Sequence, residues 1–302
     1  MEEMTTGLCP KCGHTLQIPA ELERFSCMYC GERLTKRQLL TQPEEASCSE
    51  EDCAVSFDHA VSRLGWCVQN FRGYQKKILR DAFFEAFETY ETGCAPVIQE
   101  LNSGVRPERQ TELLDRAAEA MLDELSAGWE KKNDMEDEKV ILAIFFVPMV
   151  RKLQLPVSEE FVSLLQKKWV GRYPKSPFYL GDYESISGGF RKKFLGLCFI
   201  TTAVCQELGK PDDCAELTAF RAFRDGYLAA QPDGEALIRE YYNIAPGIVT
   251  CINTCSDRHA SYERIREQYL TPCYEDLLAG RNADCKTRYV QMVRDLEREY
   301  LH

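Results

Sequence analysis

The sequence predicts a mainly α protein: a multi-helix body preceded by a small N-terminal β module. Three observations carry this. From Ser56 onward, apolar residues recur at the 3.6-residue spacing of one helix face. No stretch outside the first module keeps a sustained two-residue alternation bounded by turn signals, and no segment repeats at a fixed period. The chain has 302 residues, 44% hydrophobic and 28% charged, which fits a folded protein of about two domains and excludes a wholly disordered or fibrous one.

Each element follows in order. Residues 1–38 are Cys-rich, with glycines at turn positions. Residues 39–55 are polar, acidic and poor in large apolar residues, so they read as a linker. Ser56 is placed to cap a helix bearing Phe57, Val61, Leu64 and Val68. Lys76–Tyr90 carries an apolar stripe from Ile78 to Tyr90, and Pro107–Leu125 opens with proline at a tolerated first-turn position. Asp134–Leu153 and Ser158–Val170 complete a helical region over 56–170. Residues 172–183 hold two prolines, a glycine and four aromatics, which does not suit a helix interior. This passage is expected to be pinned to the body by its aromatics, with a groove-lining role as the alternative. A second helical region, 171–302, is expected to pack on the preceding helices.

Charge and targeting signals narrow the class. Formal net charge is −11. Residues 1–40 are neutral, residues 190–302 carry −2, and the remaining −9 lies in 41–189. That central excess reads as a solvated helical face, with an acidic docking face for a basic partner as the alternative. An acidic chain argues against a dedicated DNA-backbone binder. The longest clean apolar run, Val140–Val150, has eleven residues and contains Pro148, too short for membrane insertion. The acidic start Met1-Glu2-Glu3-Met4 lacks an apolar signal region, and fifteen cysteines, an odd number, fit a reducing compartment. A cytoplasmic location is expected.

The cysteines supply the strongest motif. Cys9-Pro10-Lys11-Cys12-Gly13 and Cys27-Met28-Tyr29-Cys30-Gly31 are two Cys-x2-Cys-Gly knuckles. Two residues between thiols allow a tight turn that points both sulfurs at one ion, and the following glycine permits positive φ. Four thiolates satisfy tetrahedral Zn²⁺ and leave no open position, so the expected zinc is structural. A module this small has little core, and the metal supplies folding energy. The module resembles the bacterial zinc-ribbon family over about 30 residues. That resemblance implies a binding or positioning role, with a protein, a nucleic acid or another domain as the partner class. The module's zero net charge weakens the nucleic-acid option.

The second motif lies near the C-terminus. Cys198-Phe199-Ile200-Thr201-Thr202-Ala203-Val204-Cys205 sits within Ser187–Leu208, which ends in Gly209-Lys210-Pro211, a helix stop. Read as one helix, Cys198, Thr201 or Thr202, and Cys205 share a face. The next helix carries Phe220, Phe223 and Tyr227, with Arg221 and Asp225 at i, i+4 and Arg224 between them. A further helix runs from about Glu235 through Tyr241 and Tyr242 to Ala245-Pro246, where a break or kink is expected.

These blocks, Cys198 to Ala203, Phe220 to Leu228 and Gly234 to Pro246, resemble the C-terminal domain family named for its Cys-Phe-Ile box (CFI-box). The match covers roughly 190–255, and Val204-Cys205 stands where members commonly have Tyr-Gly. The resemblance names a domain without naming a reaction.

Two functional classes follow. The first is a non-enzymatic interaction or adaptor protein with a protein partner. The alternative is an enzyme or a redox or anion sensor with its site at Cys198, Thr201, Thr202, Cys205, Arg221, Arg224, Asp225, Tyr241 and Tyr242. The apolar neighbours Phe199, Ile200, Ala203 and Val204 are expected to keep the Cys198 thiol protonated and inert. Cys251 and Cys255, four apart, are a second candidate metal pair, without the turn glycines of the first.

Overall fold

A computed structural model describes residues 4–9, 15–29, 31–36, 39, 49–131, 133–191, 198–255 and 257–302. The protein is mainly α, and two small antiparallel sheets stand at its N-terminus. It divides into two compact units, 1–54 and 55–302.

In the first unit, β1 (Met4–Leu8) pairs antiparallel with β2 (Thr15–Pro19), in a register that runs from Met4 opposite Pro19 to Leu8 opposite Thr15. Strand β3 (Arg24–Ser26) pairs with β4 (Arg33–Thr35). Alternation along β2 buries Leu16 and Ile18 and exposes their neighbours. Those two join Cys9, Cys27, Leu34 and Leu39 in a small core. Gly7 is required there, because a Cβ would stand 2.2 Å from the Leu39 carbonyl oxygen.

Helix α1 (Glu50–Leu64) starts within the stretch read as a linker, and the division between the units falls inside it. The start signal is Ser49, not Ser56. The Asp52 amide donates to Ser49 Oγ at 3.1 Å, and Ser49 Oγ donates to Asp52 Oδ2 at 2.7 Å. This side-chain exchange resembles a capping box.

The second unit continues with α2 (Trp66–Gln69), α3 (Phe83–Gly104), α4 (Gln110–Ala127), α5 (Asp134–Ile141), α6 (Val147–Lys152) and α7 (Ser158–Arg172). The stripe foreseen from Lys76 becomes regular helix only at Phe83. A short 3-10 turn, Tyr74–Lys77, and an irregular stretch precede it. Phe83, Phe87 and Tyr90 of α3 pack around Phe145, with ring centroids 5.8, 6.1 and 5.4 Å from it. Phe83 also stacks on Phe190 at 4.3 Å. The segment 173–182 lies against the body: Phe178 is fully buried, Trp169 Nε1 donates to Ser176 O at 2.7 Å, and the Tyr179 amide donates to Thr254 O at 2.9 Å.

Helices α8 (Tyr183–Arg191), α9 (Phe199–Glu207), α10 (Ala215–Ala222), α11 (Gly234–Cys255), α12 (Arg258–Ile265), α13 (Thr271–Leu278) and α14 (Asn282–Tyr300) finish the unit. Two expectations are corrected here. Ser187–Leu208 is not one helix, because Cys198 has ψ 81° and stands as the N-cap of α9. Helix α11 runs unbroken through Pro246 to Cys255, so the expected break is absent. Near the proline, Asn243 O accepts the Arg80 amide at 3.0 Å and Thr250 Oγ1 donates to Pro246 O at 2.8 Å, two bonds from outside the helical ladder.

Three widened π turns interrupt the helices, at Leu142–Phe146, Phe223–Leu228 and Arg266–Leu270. The first and third directly precede Pro148 and Pro272, each the second residue of the following helix, where the wider turn makes room for the ring. Among the described residues, no helix is long and apolar enough to cross a membrane.

Candidate functional site

Three helical segments meet at Cys198. The residue caps α9, and its carbonyl accepts the Thr202 amide at 2.6 Å. Its buried thiol faces Arg224 of the widened turn 223–228, with Nη1 at 3.5 Å from Sγ. The same Nη1 donates to Tyr242 Oη of α11 at 3.1 Å. The rest of the guanidinium closes on Asp225, with Nε to Oδ1 at 2.7 Å and Nη2 to Oδ2 at 2.8 Å. A buried arginine thus ties a thiol, a phenol and an exposed carboxylate together in a bidentate, charge-assisted arrangement.

The electrostatics follow from burial, from Arg224 and, more weakly, from Arg221. Burial pushes the Cys198 thiol above its usual value, although Arg224 and Arg221 pull it down. Burial also raises Tyr242, against the pull of Arg224. The hydrogen bonds from Arg224 hold the Asp225 carboxyl below its ordinary value, and the same pairing raises the guanidinium. The balance leaves Cys198 a protonated thiol near neutral pH.

Beside this lies a second set of hydroxyls. Tyr241 Oη accepts the Ile200 amide at 3.0 Å, and Tyr289 Oη of α14 reaches Tyr241 Oη at 3.4 Å and Thr201 Oγ1 at 3.2 Å. Thr202 Oγ1 is buried without a partner among the described residues. Cys198, Arg224, Tyr241 and Tyr289 border a small, mostly apolar pocket of about 50 Å³, also lined by Phe220, Phe223, Leu228, Leu237 and Ile238.

Not every candidate residue belongs to this cluster. The i, i+4 pair of Arg221 with Asp225 does not form: Arg221 bonds Asp212 O and Oδ1, both at 2.8 Å, while Asp225 is taken by Arg224. Cys205, seven residues on, does not share the Cys198 face. Its sulfur lies 3.9 Å from that of Cys214, the N-cap of α10. Burial and the neighbouring Cys214 push the Cys205 thiol up to about 12. Cys251 is fully buried in α11, and among the described residues no three-ligand group includes it. The Cys255 side chain lies outside the described residues.

Of the four N-terminal cysteines, Cys12 and Cys30 lie outside the described residues. Cys9 follows β1 and Cys27 follows β3, and both are buried in the same small core. The Cys27 amide donates to Glu32 O at 2.8 Å, the Gly31 amide returns to Cys27 O at 2.8 Å, and Gly31 has φ 73°. A tight turn with glycine in left-handed backbone is the local shape a Cys-x2-Cys-Gly knuckle requires. The described half of the donor set, Cys9 and Cys27, thus shares one small core beside such a turn.

Sequence reasoning missed Tyr289 and the Cys214–Glu216 neighbourhood of Cys205. Tyr289 carries no local signal. The Cys205-x8-Cys214 spacing is a weak one, since it lacks turn glycines beside the thiols. No family model matches the chain, and no curated protein and no solved structure matches it.

Proposed function

We propose that the protein is a non-catalytic interaction protein of the cytoplasm, a zinc ribbon attached to a helical CFI-box body. The observation that carries this reading is at the second knuckle. Met28 and Tyr29, the two residues between Cys27 and Cys30, are 78% and 57% exposed. Two large side chains held outward on a tight turn form a compact contact feature for a protein partner, and Tyr and Met are enriched at such contacts. Zinc bound by Cys9, Cys12, Cys27 and Cys30 supplies the rigidity of that turn.

The cluster at Cys198 supports the same reading. Its guanidinium donates to Asp225, Tyr242 and Cys198, and its thiol is held protonated. His59 and His259 pair with Glu100 and Glu207, away from the thiol. A nucleophilic cysteine needs a base or a lowered pKa.

The test is affinity capture with the full chain and with a Met28→Ser/Tyr29→Ser variant that keeps its zinc. Loss of the captured protein on substitution is expected. Undiminished capture refutes the ribbon as the contact. A second reading, a sensor for a small ligand, is favoured by the pocket that Cys198 and Arg224 border. A ligand there should slow thiol modification of Cys198.

A further inference from the structure

The turn between α9 and α10 closes a separate cluster of metal-ligating groups. Gly209, at φ 68°, ends α9, the Lys210 amide returns to Cys205 O at 2.8 Å, and the Cys214 amide donates to Pro211 O at 3.1 Å. The chain reverses and brings Cys214 and Glu216 back to Cys205. Sγ of Cys205, Sγ of Cys214 and a carboxylate oxygen of Glu216 all lie within 4.8 Å of one another.

We propose that Cys205, Cys214 and Glu216 form a zinc site with one coordination position left to water or an exchangeable ligand. The sulfur spacing agrees with this. Two thiolates on a tetrahedral zinc, each about 2.3 Å from the metal, stand about 3.8 Å apart. The observed separation is 3.9 Å, so the sulfurs need almost no movement to take the ion.

Charge agrees as well. Two thiolates and one carboxylate leave Zn²⁺ with a surplus of one negative charge. Lys210 Nζ donates to both Glu216 oxygens at 2.6 Å and cancels that surplus. On binding, one Glu216 oxygen turns to the ion while the other stays with Lys210, an outer contact that orients a ligand. The two thiol protons pass to solvent.

The open position has access. Cys205, Lys210 and Glu216 line a small pocket of about 50 Å³, room for a water-sized ligand, together with Thr201, Arg266 and Tyr274. Nε of Arg266 is buried without a partner among the described residues and is available to a metal-bound water or anion. This site is distinct from the N-terminal knuckles in ligands and in exposure, since Cys214 is half-buried whereas Cys9 and Cys27 are buried.

The test counts zinc in the reduced full-length chain. Cys9→Ser/Cys27→Ser protein is expected to keep one equivalent, and adding Cys214→Ser is expected to remove it. If the Cys9→Ser/Cys27→Ser protein holds no zinc, or holds the same amount after Cys214→Ser, the proposal is overturned. Failure of the N-terminal site reads differently: wild type and Cys9→Ser/Cys27→Ser protein would then bind equally. Glu216→Gln, which keeps both thiols and the fold, should weaken zinc affinity about tenfold or more. Unchanged affinity in that variant rejects the carboxylate as a ligand.

Discussion

Replacing Cys198 with aspartate probes the guanidinium–thiol contact more sharply than a deletion. From sequence alone, the new carboxylate is an unpaired charge buried among apolar neighbours. The structure changes the expectation, because Arg224 Nη1 already stands 3.5 Å from Sγ. Cys198→Ala removes about one methylene's worth of buried surface and a weak contact to sulfur, for a loss of about 1 kcal/mol. Cys198→Asp desolvates a carboxylate but meets a cation, and a net loss of about 1–3 kcal/mol follows. In an Arg224→Met background the same carboxylate has no cation in contact, and the additional loss rises to about 3–5 kcal/mol.

Urea unfolding followed by far-ultraviolet circular dichroism, on the two single variants and the double, gives the coupling directly. A coupling of about 2 kcal/mol, with the double variant worse than the sum, is expected. Additivity within about 0.5 kcal/mol would refute the pairing. The pH dependence gives an independent sign. Without Arg224, burial raises the introduced carboxyl's folded pKa above its unfolded value near 3.9. Stability is then fullest below that value and is lost as pH rises through the folded pKa.

Four further outcomes are expected. In zinc-free protein, iodoacetamide near neutral pH should modify the half-buried Cys214 well before Cys198, whose thiol burial holds above its usual pKa; labelling of Cys198 first would overturn the electrostatic argument. Cys9→Ser should lower zinc content by one equivalent while the helical signal survives, since the helices belong to a separate compact unit; unchanged zinc would remove the ribbon assignment. Gly247→Ala should destabilise by about 1–3 kcal/mol or more, because its Cβ would fall 1.9 Å from Ile78 O, whereas exposed Gly171→Ala should be neutral to about 1 kcal/mol stabilising; thermal denaturation that ranks them otherwise contradicts the packing. Asp276 accepts from Arg281 and Arg288 and its carboxyl is held low, so its stabilisation is present above the unfolded value and lost as pH falls through the lower folded one; Asp276→Asn should flatten that acid limb, and an unchanged limb would count against it.

Much of the fold was legible because helix periodicity is a local property. Phe57, Leu64, Val68, Ile78 and Tyr90 are buried where the apolar stripes placed them. What escaped depends on distant partners. Pro246 reads as a break, yet in α11 neighbouring carbonyls take donors that include Arg80, far away in sequence. Arg221 and Asp225 have helical spacing, yet the turn between them widens and Asp225 goes to Arg224. Within the site, Cys198, Arg224 and Tyr242 were individually visible as residues of three blocks. Their junction was not, because it depends on Cys198 leaving the helix that periodicity gave it. Tyr289 joins Thr201 across 88 residues with no motif to announce it.

The widened turn at Phe223–Leu228 has no proline two residues beyond it to explain it, unlike the other two; Pro232 lies further on, past the helix end. A π turn is an α-helix that has absorbed one surplus residue. Removing one residue there, with exposed Gly226 the simplest choice, would let the helix close into regular α geometry with its backbone bonds intact. The same deletion would rotate one flank against the other by about 100°, the angle of one helical residue. It would also draw Arg224 out of register with Cys198 and Tyr242. The fold of this segment should tolerate losing a residue that its site does not, so a one-residue deletion at 223–228 would part the arginine–thiol junction from the helix that carries it.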